Sequence, residues 1–198
     1  MPGTYKAQVA KRVDGVLTPL GPAQEFQVVV EGQENMSPTD RAALVEFQQK
    51  AARLQRAVSG ANQAANALTP RLTAIKRAIT ETPTLPPSMY DDAIALEKRK
   101  NEILRALNGD PVARQRNMNT PPSINDRVGY VVGAQRMSTA RPTQTQQNQY
   151  TAAAQEFEGV LSQLRQLIDV DLSRLEKQLE AAGAPWTPGR IPEWKDQP

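Results

Sequence analysis

Two pairs of acidic residues are where carboxylate chemistry could be sought in this chain. Glu156 and Glu158 flank Phe157, and Asp169 and Asp171 flank Val170. Glycoside hydrolysis needs two carboxyl groups facing one bond across a gap of roughly 5 to 9 Å. Residues two apart on a helix point to different sides, so neither pair can close on a single substrate. The other usual chemistry is missing outright. The sequence contains no His and no Cys. That removes imidazole bases, thiolate nucleophiles, imidazole and thiolate metal ligands, and Ser-His-Asp catalysis within this chain. No residue is assigned a catalytic, cofactor-binding or metal-ligating role, no cofactor is expected, and the chain reads as not an enzyme.

The remaining polar clusters read as surface. Lys98-Arg99-Lys100 is expected to be a solvated helix face, with a phosphate or membrane patch as the lesser alternative. Arg71, Lys76 and Arg77 fall outside the apolar seam and read the same way. Gln144, Gln146, Gln147 and Gln149 form a polar helix entry. Gly129 and Gly133 lack the G-x-x-x-x-G-K setting of a phosphate loop, and their spacing predicts a short helix lying close against a larger one.

These residues must be held by some scaffold, and the scaffold reads as helical. The chain has 198 residues, 39% of them hydrophobic and 5% aromatic. The mean hydropathy is -0.56. Long, solvent-washed helices suit this composition better than a thick core. Lys and Arg number 24 against 21 acidic residues, interspersed, which argues against nucleic-acid binding. No apolar run approaches the ~20 residues that span a bilayer. The N-terminus lacks a basic-then-apolar leader pattern, so the expectation is a cytoplasmic protein or an export signal further upstream.

Residues 1–33 read as a β-hairpin. Tyr5, Ala7 and Val9 alternate with Lys6, Gln8 and Ala10, and Asp14-Gly15 is a tight-turn signal. The return strand VLTPL is interrupted by Gly21-Pro22 and resumes as QEFQVVVEG, with Phe26, Val28 and Val30 on one face. An isolated hairpin is marginal in water, so it should pack on the helices or belong to a larger sandwich, whose last hairpin it would be.

Residues 37–183 read as an antiparallel bundle of three long helices and one short one. Ser37-Pro38 opens the first, whose heptad seam runs Leu44, Phe47, Ala51, Leu54, Val58, Ala61, Ala65, Leu68, Leu72, Ile75, Ile79. The register does not slip at Pro70, so one continuous, kinked helix is expected to about Thr80. The second begins at Ser88, carries Ile94, Leu96, Ile103, Leu104 and Leu107, and stops at Asn108-Gly109. Residues 111–122 read as irregular. Ser123 with Asp126 caps the short helix. Thr143 with Gln146 opens the last long one, with a stripe Tyr150, Ala153, Phe157, Leu161, Leu164, Ile168, Leu172, Leu175, Leu179, Ala182. Residues 184–198 read as an extended Pro-rich tail whose Trp186 and Trp194 fold back onto the bundle, with partner docking as the alternative.

The order of parts resembles a known family. A P-G-T-Y strand, a D-G hairpin ending in QVVVEG, a helix beginning SPTD, then PPSINDRVGYVVGAQR and a long helix ending LEAAGAPWTPGRIPEW is similar to the C-terminal region of bacterial sortilin-like proteins. Those carry an Asp-box (BNR-repeat) β-propeller and are described as glycosyl hydrolases. The resemblance covers essentially the whole chain and implies an exported, non-catalytic C-terminal module. Such a module would support or dock the propeller, or bind a protein partner. Its partners would be upstream domains of the same polypeptide or another protein. No S-x-D-x-G-x-x-W Asp-box occurs here, so no catalytic residue of the family carries over. Two other readings stand beside it: a stand-alone cytoplasmic coiled-coil adaptor, able to form a homodimer through an exposed seam, and part of a glycoside hydrolase whose active site lies outside this chain.

Overall fold

The computed structural model describes residues 2–31, 36–192 and 194; the outermost positions of the predicted hairpin (1, 32 and 33) and tail (193 and 195–198) lie outside the described residues. The fold is mainly α: an N-terminal antiparallel hairpin followed by a helical bundle. The hairpin is one long two-stranded ribbon with a break in its middle. Strand β1 (Gly3–Ala7) pairs with β4 (Gln24–Val28), and β2 (Ala10–Val13) pairs with β3 (Val16–Pro19). Asp14 (φ 49) and Gly15 (φ 83) both take positive φ, as a type I′ turn requires. At the break Leu20 N–H still donates to Val9 O (2.9 Å), and Gln8 Nε2 donates to Gly21 O (2.9 Å). The last strand ends at Val28, short of the predicted QVVVEG run.

Helix α1 (Pro38–Thr80) is continuous through Pro70. Ser37 Oγ accepts from Asp40 N–H (3.1 Å), and Pro38 occupies the first turn, where its missing donor costs nothing. The predicted seam is the buried face, with Leu54 half-buried and Ala78 added. Helix α2 (Ser88–Asn108) runs antiparallel to α1: Lys76 meets Glu97, Thr69 meets Lys100, and Asn62 meets Asn108. Its buried face is Met89, Ala93, Leu96, Lys100, Ile103 and Leu107, so Ile94, expected inside, is on the outer side.

Gly109 (φ 82) ends α2 as expected. The next residues are not irregular throughout. Asp110 caps a short helix α3 (Pro111–Gln115), accepting from the amides of Val112 (2.8 Å) and Ala113 (3.3 Å). An Asp-Pro pair that stops one helix is equally a cap and first residue for another. Helix α4 (Ile124–Arg136) opens with the predicted Ser123/Asp126 capping box. Gly129 and Gly133 lie on its exposed face, and a β-carbon on either would meet nothing within 4 Å, so they do not mediate the expected close packing. The packing face is Ile124, Val128 and Val131, one turn-step away.

The last long helix is not uniform. Helix α5 (Gln144–Arg165), opened by the Thr143/Gln146 box, passes into a π-helical segment (Gln166–Leu172) and then into α6 (Ser173–Ala181). A π turn inserts one residue, shifting the inward stripe. The buried positions are therefore Val160, Leu164, Leu167, Leu172, Leu175 and Leu179, with Leu161 and Ile168 only half-buried. A main core joins α1, α2, α4, α5 and α6, and Phe47, Ala51 and Val131 form a smaller cluster at the far end.

Candidate interaction surface

The two acidic pairs are spread among structural partners. Asp171 accepts from Arg99 (2.5 Å), tying the π segment to α2, and Glu156 lies 3.6 Å from Arg127. Glu158 and Asp169 are exposed. Among the described residues no group of acidic side chains could hold a metal ion.

The basic residues expected on a solvated face mostly hold helices together. Lys100 is buried and donates to Thr69 Oγ1 (3.0 Å), because it lies on the same inward stripe as Leu96 and Ile103 and buries its aliphatic stem there. Arg99 pairs with Asp171, Lys76 with Glu97 (2.8 Å), and Arg71 with Glu176 through two 2.6 Å bonds. Lys98 and Arg77 remain on the surface as expected, with Arg77 paired to Glu81 one turn on. Charges flanking an apolar seam occupy the positions from which neighbouring helices are bridged. The glutamines at the start of α5 divide similarly. Gln146 is buried and accepts from Gln135 Nε2 (2.7 Å), and Gln149 accepts from Arg127 (2.7 Å).

The C-terminal segment differs from the expectation that its tryptophans cover the bundle. Trp186 is 61% exposed and Trp194 81% exposed. Ala184, Thr187 and Arg190 are the residues that go in. Gly183 (φ 66) closes α6, with Gly183 N–H donating to Glu180 O and Ala184 N–H to Leu179 O, both 3.0 Å, a Schellman cap. Thr187-Pro188-Gly189-Arg190 then forms a type II turn: Arg190 N–H donates to Thr187 O (3.1 Å) and Gly189 has φ 95. The turn delivers the Arg190 guanidinium to Glu180 (3.0 Å from Nε) and to Pro185 O (2.8 Å). Trp186 Nε1 donates to Arg190 O (2.8 Å), which ties the exposed indole to the turn. The Pro-Gly dipeptide was the sequence signal for this clasp.

Among the described residues, the hairpin carries a run of exposed apolar side chains. None of residues 2–31 is buried. The register puts Tyr5 opposite Phe26 and Gly3 opposite Val28 on one face, with the pairs Thr4/Gln27 and Lys6/Glu25 on the other. The Tyr5 and Phe26 rings stack at 6.0 Å. Thus the ribbon has an apolar face and a polar face, and the apolar one is open.

Among the described residues no helix is long and apolar enough to cross a membrane. Comparison with family models, with curated proteins and with solved structures finds no match for this chain.

Proposed function

We propose that the chain is a non-catalytic structural and interaction module of a larger sortilin-like propeller protein, supporting or docking the propeller or a protein partner. The observation that carries this reading is the open apolar face of the hairpin, Tyr5, Phe26 and Val28, on a two-stranded ribbon that buries none of its residues. Two strands alone are marginal in water, and a third layer or strand is what such a ribbon needs. The exposed indole of Trp186 supports protein docking by the helical part as well, since Trp is favoured at binding hot spots. On this reading the protein is exported.

Hydrogen–deuterium exchange tests it. In the isolated chain the amides of β1 and β4 should exchange almost freely while those of α1 and α5 are protected. The same strands should become protected in the longer polypeptide. Strong protection of both strands in the isolated chain would show that the ribbon needs no cover, and the reading would fail. Turnover of a glycoside by the isolated chain would overturn its non-catalytic part.

A further inference from the structure

At the end of the bundle away from the clasp, α1 and the start of α5 separate to leave a cleft of about 340 Å³. Small-molecule sites begin at about this size. Its apolar lining comes from Phe47, Tyr150 and Pro142, with the Phe47 and Tyr150 rings edge to face at 5.7 Å. Three charges line it. Glu46 and Lys50 cancel one another through a 2.6 Å ion pair. The Lys50 ammonium, bonded to Glu46, holds that carboxyl below its ordinary value, so Glu46 is ionised and occupied. Arg141 is the one whose ion-pair partner, Asp40 at 3.4 Å, does not line the cleft, and a guanidinium carries five N–H donors. The cleft therefore joins an aromatic wall to one guanidinium with donors to spare, and planar carboxylates are what a guanidinium fork matches.

We propose that this cleft binds a small monocarboxylate with an aromatic or aliphatic body, the carboxylate on Arg141 and the body against Tyr150 and Pro142. Phenylacetate is a probe of this class. Titrated into the isotope-labelled full chain and followed by amide NMR, it should give saturable shifts at Gln147, Tyr150 and Thr151, with a dissociation constant of about 1 mM. Phenylethanol, which lacks the charge, and acetate, which lacks the ring, should each bind at least about 10-fold more weakly. Arg141→Gln should weaken phenylacetate by about 10-fold, whereas Lys50→Gln, removing a cation already spent on Glu46, should change it less than about 3-fold. Both side chains are exposed, so the variants should fold, and an unchanged thermal melt checks that. Absence of saturation up to about 20 mM, equal binding of phenylethanol, or an unaffected Arg141→Gln variant would each overturn the proposal.

Discussion

A β-carbon placed on Gly189 would lie 2.6 Å from Cζ of Arg71, the residue whose guanidinium is bonded twice to Glu176. The clasp thus rests its one side-chain-free residue on an ion pair that joins α1 to α6. Gly189→Ala meets two obstacles, the contact with Arg71 and a φ of 95. It should cost at least about 1 kcal/mol in denaturant unfolding. The emission of Trp186, whose indole is tied to Arg190 O, should shift in the folded baseline. An unchanged midpoint and spectrum would mean the clasp does not bear on the bundle.

Glu176 is buried, and Arg71 is half-buried beneath the clasp. Removing one partner strands the other charge in a poorly solvated place. Glu176→Ala is expected to cost about 3 kcal/mol by urea unfolding. Replacing both partners, Arg71→Met with Glu176→Leu, should recover most of that loss, because two desolvation penalties disappear together. A double variant as unstable as the single one would show that the pair contributes more than its cost.

How far these relations were legible from sequence follows from the physics of each. The seam of α1 was readable because burial repeats every three and four residues, and the pattern ran through Pro70 unchanged. Caps at Ser37, Ser123 and Thr143 were readable because each needs only residues within one turn. Lys100 was not, since an ammonium on an inward stripe is acceptable only if a hydroxyl such as that of Thr69 waits on another helix. The ion pairs Arg99–Asp171 and Arg71–Glu176 link residues far apart in the chain, so no local pattern announces them. The cleft has the same origin: Arg141 and Lys50 meet only once α1 and α5 are side by side.

The capping carboxylates carry a pH dependence. Asp126 sits below its ordinary value of 3.8 because Ser123 donates to it through its hydroxyl and its amide. Asp110 is lowered likewise by the amides of Ala113 and Val112. A carboxyl whose folded pKa is depressed contributes stability above its unfolded pKa, and loses it as pH falls through the folded value. Helical signal should therefore be level from neutral pH down to about 4 and then decline as both caps protonate. Asp126→Asn, which no longer titrates, should be less stable at neutral pH and should flatten part of the acid decline. An identical acid profile in this variant would show that the cap does not contribute.

Phe26 stacks on Tyr5 and is 47% exposed, so the apolar face of the hairpin is expected to contribute little to the stability of the bundle. Phe26→Asp should leave the main thermal transition within about 0.5 kcal/mol of the parent. A larger loss would mean that the hairpin supports the helices.

Leu167 and Leu172 are both fully buried although they lie five positions apart, a spacing that an α-helix would turn to different sides. The π segment is what brings both inward, and Val170 between them is exposed. Deleting Val170 would leave the two leucines four apart, the natural α spacing, with the stripes of α5 and α6 still aligned. That deletion should cost less than about 2 kcal/mol and should convert the segment to regular helix. Deleting exposed Ser162 instead has no surplus residue to absorb the change. It would rotate Leu164 and Leu167 off the core relative to Phe157, and cooperative unfolding should be lost. Equal damage from the two deletions, measured by circular dichroism melts, would show that the π turn is not the register adjuster between α5 and α6.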